Sequence, residues 1–365
     1  MCPVATRLLV LALGLAGLGC SEAVPAERDA SDSIAGDSFP ALDLGIAFPP
    51  VADAEQRAFT IPQLAALGVD HVRFSQAWRF REPERDRFVW RPLDARVADL
   101  VAAGIEVFLT LDIEGAPDWL ASLSPAEQEA EFRAYVRALL DRLGADLAWI
   151  QYGNEWNAVL DPGEVDAFVR LANVLADEVA RLPEAERPRV ALGSVSIGGL
   201  SALALLQGRI ENVVFEGGPL YTEAEIAAAR AAGPETLDAF RTIVGSVRYD
   251  AVDLHLYDDV WNWPTYRAAV EKLLAEAGRD PAATPVVVSE FGGPHPTLEP
   301  GGEAFQARRV EAYVRALARL DVERAYFFKL VEEPGAPIAH PNSFLIDADL
   351  ERRAAFDVIA RVPAP

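Results

Sequence analysis

Cysteine is nearly absent from this chain: Cys2 and Cys20 are its only two, and both fall within the first twenty residues. A disulfide framework and a cysteine-built metal centre are therefore excluded from the body of the protein. Histidine is scarce as well. His71, His255, His295 and His340 are scattered, with no His-x-His pair and no helical His-x-x-x-His. That pattern argues against a metal-dependent hydrolase, and nothing in the composition asks for another cofactor. Positive charge is outnumbered, with 33 basic residues, only Lys272 and Lys329 among them lysine, against 56 acidic ones. The formal net charge of −23 argues against nucleic acid or an anionic membrane surface as the main partner. A neutral ligand meets no such repulsion.

A membrane-spanning run is missing too. The apolar stretch LLVLALGLAGLG, between Arg7 and Cys20, is too short for a stable anchor and has the form of a secretory signal. Gly17, Leu18, Gly19 and Cys20 resemble the lipobox of bacterial lipoproteins, although that motif usually has leucine where Gly17 stands. The resemblance implies that residues 1–20 direct export and that Cys20 is lipidated, the protein facing the periplasm or the exterior. Plain signal-peptidase cleavage nearby is the alternative. Residues 21–40 are small, polar and turn-rich, as suits a flexible tether.

What is abundant is core material. Hydrophobic residues make up 51% of 365, and residues 41–365 are read as one domain in the size range of α/β barrels. Short apolar or alternating runs recur with helical segments between them. They fall at 42–48, 70–76, 106–112, 148–154, 189–195, 251–257, 285–290 and 324–330. Ser124-Pro125-Ala126-Glu127 and Asp161-Pro162-Gly163-Glu164 each offer an N-cap, a proline at N1 and a glutamate at N3. Gly68 and Gly144 stand where C-terminal caps would fall. Eight strand–helix units imply a parallel sheet closed into a (β/α)8 TIM barrel. The stretch 198–248 exceeds a simple connection, with helices near 200–208 and 223–246 and room for an inserted subdomain.

In such a barrel, chemistry belongs at the carboxyl ends of the strands. Alternation sets His71, Arg73 and Ser75 against Val72 and Phe74. It likewise sets Thr110, Asp112 and Glu114 against Leu109, Leu111 and Ile113, and Asp253, His255 and Tyr257 against Leu254 and Leu256. The apolar sets should face the helices, which leaves the polar sets facing the axis, where they must pair or open onto a pocket. Two glutamates close strands: Glu155 ends WIQYGNEWN, and Glu290 ends PVVVSE, followed by Gly292 and Gly293. Two facing carboxylates are the machinery for cleaving a glycosidic bond.

These residues resemble the clan A glycoside hydrolases, the cellulase-, mannanase- and β-xylosidase-type barrels, over roughly residues 41–360. The clan's Asn-Glu pair ending strand four is matched by Asn154-Glu155, and its strand-seven glutamate by Glu290. Its strand-two arginine is matched by Arg73, and its strand-six His-x-Tyr by His255-Leu256-Tyr257. The segment FREPERDRFVWRPLD, with Trp90 and Asp94, is similar to the loop and helix start after strand two. The resemblance implies a retaining glycosidase acting on a β-linked carbohydrate, with Glu155 as acid/base and Glu290 as nucleophile. It also implies that Arg73 and Tyr257 keep Glu290 charged and that Asn154 binds the sugar 2-hydroxyl. Read from the residues alone, Arg73 could instead pair with Asp112 or Asp43, and His255 and Tyr257 could be satisfied core polars.

Two positions depart from the clan's pattern. Trp156 stands where many members have proline after the acid/base residue, and AYFFKLVEE lacks the tryptophan that usually ends strand eight. Phe327, Phe328 or Lys329 occupies that region, so sugar stacking is expected from Trp156, or from Trp261 and Trp263 after strand six; Trp119 and Trp149 read as core. A non-catalytic carbohydrate-binding lipoprotein on a degenerate barrel, a metal-dependent barrel hydrolase and a transglycosidase remain as rivals.

Overall fold

A computed structural model describes residues 39–212, 214–215, 218–219, 222–257, 259–293, 301–332 and 344–365. The signal sequence, Cys20 and residues 21–38 of the tether lie outside the described residues, as do His295 and His340. Among the described residues no helix is long and apolar enough to cross a membrane.

Eight parallel strands form the barrel: Leu44–Ala47, His71–Gln76, Glu106–Leu111, Leu147–Tyr152, Arg189–Leu192, Val252–Tyr257, Val286–Gly292 and Arg324–Phe327. They are called the first to eighth strands below. The first strand pairs with both the second and the eighth, and the fifth and sixth close the ring through single bridges. At that seam Leu192 N–H donates to the Ala251 carbonyl at 2.9 Å, and His255 N–H to the Val195 carbonyl at 2.9 Å.

Side-chain alternation sorts the interior as the sequence suggests. Val72, Phe74, Leu109, Leu111, Leu254 and Leu256 join the cluster packed between strands and helices. Toward the axis, Ala47, Phe108, Trp149, Ala191, Ala251, Val287 and Tyr326 form a separate apolar plug. A side chain such as Phe108, fully removed from water, contributes about 1.5–3 kcal/mol. Two residues further along the same strands the axis turns polar, with Thr110 after Phe108, Gln151 after Trp149 and Ser289 after Val287, all buried. The plug is thus the floor on which a polar layer rests.

The capping signals hold. Ser124 and Asp161 make full capping boxes, and Gly68 ends the helix Ala54–Leu67 at φ 71°. Gly144 caps the helix Pro125–Leu143 at φ −52°, not in the left-handed region, and continues into a short 3-10 turn. Its glycine identity serves packing, since a Cβ there would meet Leu182 Cδ1 at 2.7 Å. The long 198–248 connection holds the helices Ile197–Leu206 and Glu223–Ser246, with a two-residue-per-strand antiparallel hairpin between them. That is a minor elaboration of one barrel unit.

Candidate active site

Glu290 lies within the seventh strand, two residues before its end, with its side chain on the axis and its carboxylate held from two sides. Arg73, fully buried on the second strand, donates from Nη1 to Oε1 at 2.5 Å, and the Tyr257 hydroxyl donates to Oε2. Burial by itself would push this carboxyl up; His255 and Arg73 nearby, with the bonds from Tyr257 and Arg73, hold it below its ordinary value. Burial, with Glu290 beside it, pushes the Tyr257 hydroxyl well above its ordinary value, so it remains a donor.

Every arm of the Arg73 guanidinium is occupied. Nε reaches Thr110 Oγ1 at 3.0 Å and Gln151 Oε1 at 3.3 Å, while Nη2 donates to Gln151 Oε1 at 3.2 Å and Asn154 Oδ1 at 2.6 Å. The alternative pairings of Arg73 with Asp43 or Asp112 do not occur. Asp43 binds His71 at 2.9 Å and Arg324 at 3.2 Å at the opposite, amino end of the barrel, where with Asp70 it forms the one metal-spaced group of acids and histidine among the described residues. Because Asn154 Oδ1 accepts from Arg73, its Nδ2 donors are left to the cavity, and no partner for them exists among the described residues.

Glu155 follows a turn that the sequence builds locally. Gly153 at φ 97° lifts the chain off the fourth strand, and Glu155 itself takes a left-handed conformation at φ 47°. For a non-glycine residue that conformation costs of order 1–3 kcal/mol, and here the Ser194 hydroxyl fixes it by accepting from Glu155 N–H at 2.8 Å. The Glu155 carboxyl, about a third exposed, then points over the axis.

One histidine joins the two acids. His255 Nδ1 stands 2.9 Å from Glu155 Oε1 and 3.5 Å from Glu290 Oε2. On its far side, Nε2 lies 3.0 Å from Ser289 Oγ, and Ser289 in turn donates to Asp253 Oδ2 at 2.6 Å. Since Ser289 spends its proton on Asp253, it accepts from His255, which fixes the Nε2–H tautomer. Burial lowers the basicity of His255, but Glu290 and the contact with Glu155 reverse that and raise it above the usual value. Gln151 donates to Asp253 at 2.9 Å and accepts from Arg73, so a closed circuit of buried polar groups runs beneath both carboxylates. His255 and Tyr257 are therefore satisfied polars: His255 touches both carboxylates and Tyr257 that of Glu290.

Beside Asn154 and Glu155 opens a cavity of about 430 Å³, lined among the described residues also by Phe48, Ser75, Arg79, Asp112, Glu114 and Val159, with buried Glu290 not on its wall. A smaller void of about 50 Å³, behind the third strand between Trp78, Phe132, Tyr135 and Leu171, is mainly apolar and holds neither glutamate.

The tryptophan expectations need correction. Trp156 is 1% exposed, bonded through Nε1 to the Gly193 carbonyl at 2.7 Å and packed on Phe240, so it belongs to the core between strands and helices. Trp263 is fully buried against Tyr313. Neither presents a face to a sugar. Trp261 is 46% exposed beside Arg309 and is not among the cavity-lining residues just named. The aromatic surface at the site comes instead from Phe48, ending the first strand at φ 49°, and Phe328, which follows the eighth. Their rings meet edge to face at 5.8 Å, and Phe328 meets Tyr257 at 6.1 Å. The Phe328–Lys329 peptide is cis. Phe48 escaped the sequence reading because nothing but its position at a strand end marks it. Gln151 and Ser289 were available from the alternation that exposed Arg73.

Comparison with known proteins places the fold. The family model for glycoside hydrolase 42, β-galactosidase, matches residues 49–142. No match to a curated protein reached significance. Among solved structures, a family 39 glycoside hydrolase from Bacteroides cellulosilyticus superposes with a TM-score of 0.61 at 16% identity, over 89% of this chain and 64% of that one. A family 5, subfamily 18 enzyme from Bifidobacterium longum, crystallised with Manβ1-4GlcNAc, gives 0.59 at 17% identity, over 89% and 80%. A monomeric β-xylosidase from Caulobacter crescentus gives 0.58 at 14% identity, over 88% and 68%. The chain shares the (β/α)8 fold of these proteins and spans just under two thirds of the family 39 enzyme.

Proposed function

We propose that this chain is a retaining β-glycoside hydrolase in which Glu290 is the nucleophile and Glu155 the general acid/base. The observation that carries the reading is the position of His255 Nδ1, 2.9 Å from one carboxylate and 3.5 Å from the other. Those two distances together cap the gap between the nearest oxygens at just below the ~6.5 Å where inverting spacings begin. Retaining enzymes work at about 5–5.5 Å, which leaves no room for a water between the second carboxylate and the anomeric carbon.

In the first step a Glu290 oxygen attacks the anomeric carbon from the face opposite the leaving group. The glycosidic C–O bond breaks, and the departing oxygen takes the proton of Glu155. In the second, Glu155 accepts a proton from water as the water oxygen attacks the same carbon and releases Glu290. Arg73 and Tyr257 keep the nucleophile ionised, and Asn154 Nδ2 is placed to donate to the sugar 2-hydroxyl, a contact that strengthens as charge develops. The β-galactosidase description of the matching family and the β-linked disaccharide on the family 5 relative favour a β-linked substrate. Turnover of aryl β-glycosides by the wild type, lost in Glu155→Ala and Glu290→Ala, tests the reading. A folded wild type inert across the panel would instead favour a carbohydrate-binding protein.

We propose further that the chain is exported and anchored through Cys20, on the strength of the apolar run before it. Labelling with a radioactive fatty acid, lost in Cys20→Ser, tests that.

A further inference from the structure

The cavity holds a carboxylate that double displacement does not use. Asp112 directly follows the third strand and lines the cavity with Ser75, Asn154 and Glu155. Burial pushes its half-buried carboxyl above the ordinary value, and Ser75, Arg73 and Arg79 on the same wall act against that. Neither guanidinium pairs with it: Arg73 is committed to Glu290, and Arg79 donates to the Glu114 carbonyl at 2.6 Å. An ionised carboxylate accepts at about four lone-pair positions. A partly desolvated one on a cavity wall is costly unless something in the cavity supplies donors.

We infer that Asp112, steadied by Ser75, selects the glycone by accepting hydrogen bonds from two adjacent hydroxyls of an uncharged sugar. That the occupant is a sugar rests on the glycosidase reading. The same wall excludes sugar acids, because among the described residues Asp112, Glu114 and Glu155 face the cavity against the one guanidinium of Arg79. Arg79 is moreover turned to a backbone carbonyl and to the Phe80 ring.

Calorimetric titration of the full chain tests this without requiring bond cleavage. Methyl β-glycosides of galactose, glucose, mannose and xylose would be compared with methyl β-glucuronide, on wild type, Asp112→Asn and Ser75→Ala. The expected result is binding of at least one neutral glycoside, weakened roughly 10- to 100-fold by Asp112→Asn and less by Ser75→Ala. The glucuronide should bind wild type at least 100-fold more weakly. Monodeoxy forms of the bound glycoside should lose affinity for wild type and lose none further for Asp112→Asn. Unchanged binding by Asp112→Asn, equal binding of the glucuronide, or no binding of any neutral glycoside would overturn the assignment. Where Asp112→Asn fails to fold, Ser75→Ala and the deoxy series on wild type decide. Asp112-dependent binding without hydrolysis would refute the glycosidase reading alone; hydrolysis untouched by Asp112→Asn would refute this one alone.

Discussion

His255 Nδ1 lies 2.9 Å from Oε1 of Glu155, and its Nε2 is tied through Ser289 to Asp253. The Glu155 carboxyl therefore meets an imidazole whose other nitrogen is already a donor. With Glu290 and Glu155 raising its affinity for a proton, His255 holds charge above its ordinary value of about 6.5.

The pH profile follows. The acid limb of kcat/KM belongs to Glu290, which loses its charge only below the usual carboxylate range of about 4.3. On the proposed reading the alkaline limb belongs to His255, whose hold on a proton Glu290 and Glu155 strengthen, and it falls above about 6.5. In His255→Ala the limb set by the imidazole should be lost from that position. An unmoved alkaline limb would refute the coupling.

Replacing Arg73 by methionine strips Glu290 of its cation. The buried carboxylate is then uncompensated, and stability at neutral pH should fall by about 3–5 kcal/mol, read by denaturant unfolding. Removing a positive charge raises the carboxyl pKa, so the acid limb should shift upward in any folded fraction. Stability should recover partly as pH falls and Glu290 protonates.

On the proposed mechanism, truncating Glu155 removes the proton donor while leaving the nucleophile. Glycosides with poor leaving groups should slow about 10²–10⁴-fold, and those with strongly activated leaving groups far less in the first step. Azide, small enough to enter the vacated space, should restore turnover and yield a glycosyl azide of retained configuration. An inverted azide would point to a different geometry.

Aromatic substitutions separate packing from binding. Trp156→Ala opens a cavity in the core and breaks the bond to Gly193, costing about 3–5 kcal/mol in thermal or denaturant unfolding. Phe48→Ala should leave the melting temperature closer to wild type and raise KM for glycosides. The reverse pattern would restore Trp156 as a sugar platform.

Much of this was legible in the sequence because strand alternation and strand-end position are local properties. Arg73, Thr110 and Asp253 declare themselves as axis residues by alternating with Val72, Leu109 and Leu254, and Glu155 and Glu290 by closing apolar runs. The tryptophans misled because the same chemistry serves a core and a sugar surface. Only the path of the chain after Glu155 turns Trp156 inward, through the left-handed conformation at Glu155 and the bond to Gly193. Phe48 and Phe328 come from opposite ends of the sequence, and their contact arises only when the first and eighth strands pair. The circuit through Ser289 is equally a product of closure, since it joins the sixth and seventh strands.

The most direct test of the account is to trap the glycosyl-enzyme with activated 2-deoxy-2-fluoro β-glycosides, galactosides first, and to map the labelled peptide. The account predicts a stoichiometric adduct on the segment containing Glu290, absent in Glu290→Gln and released by a transglycosylation acceptor. A label on Glu155 or any other residue, or hydrolysis of ordinary glycosides with inverted configuration, would contradict it.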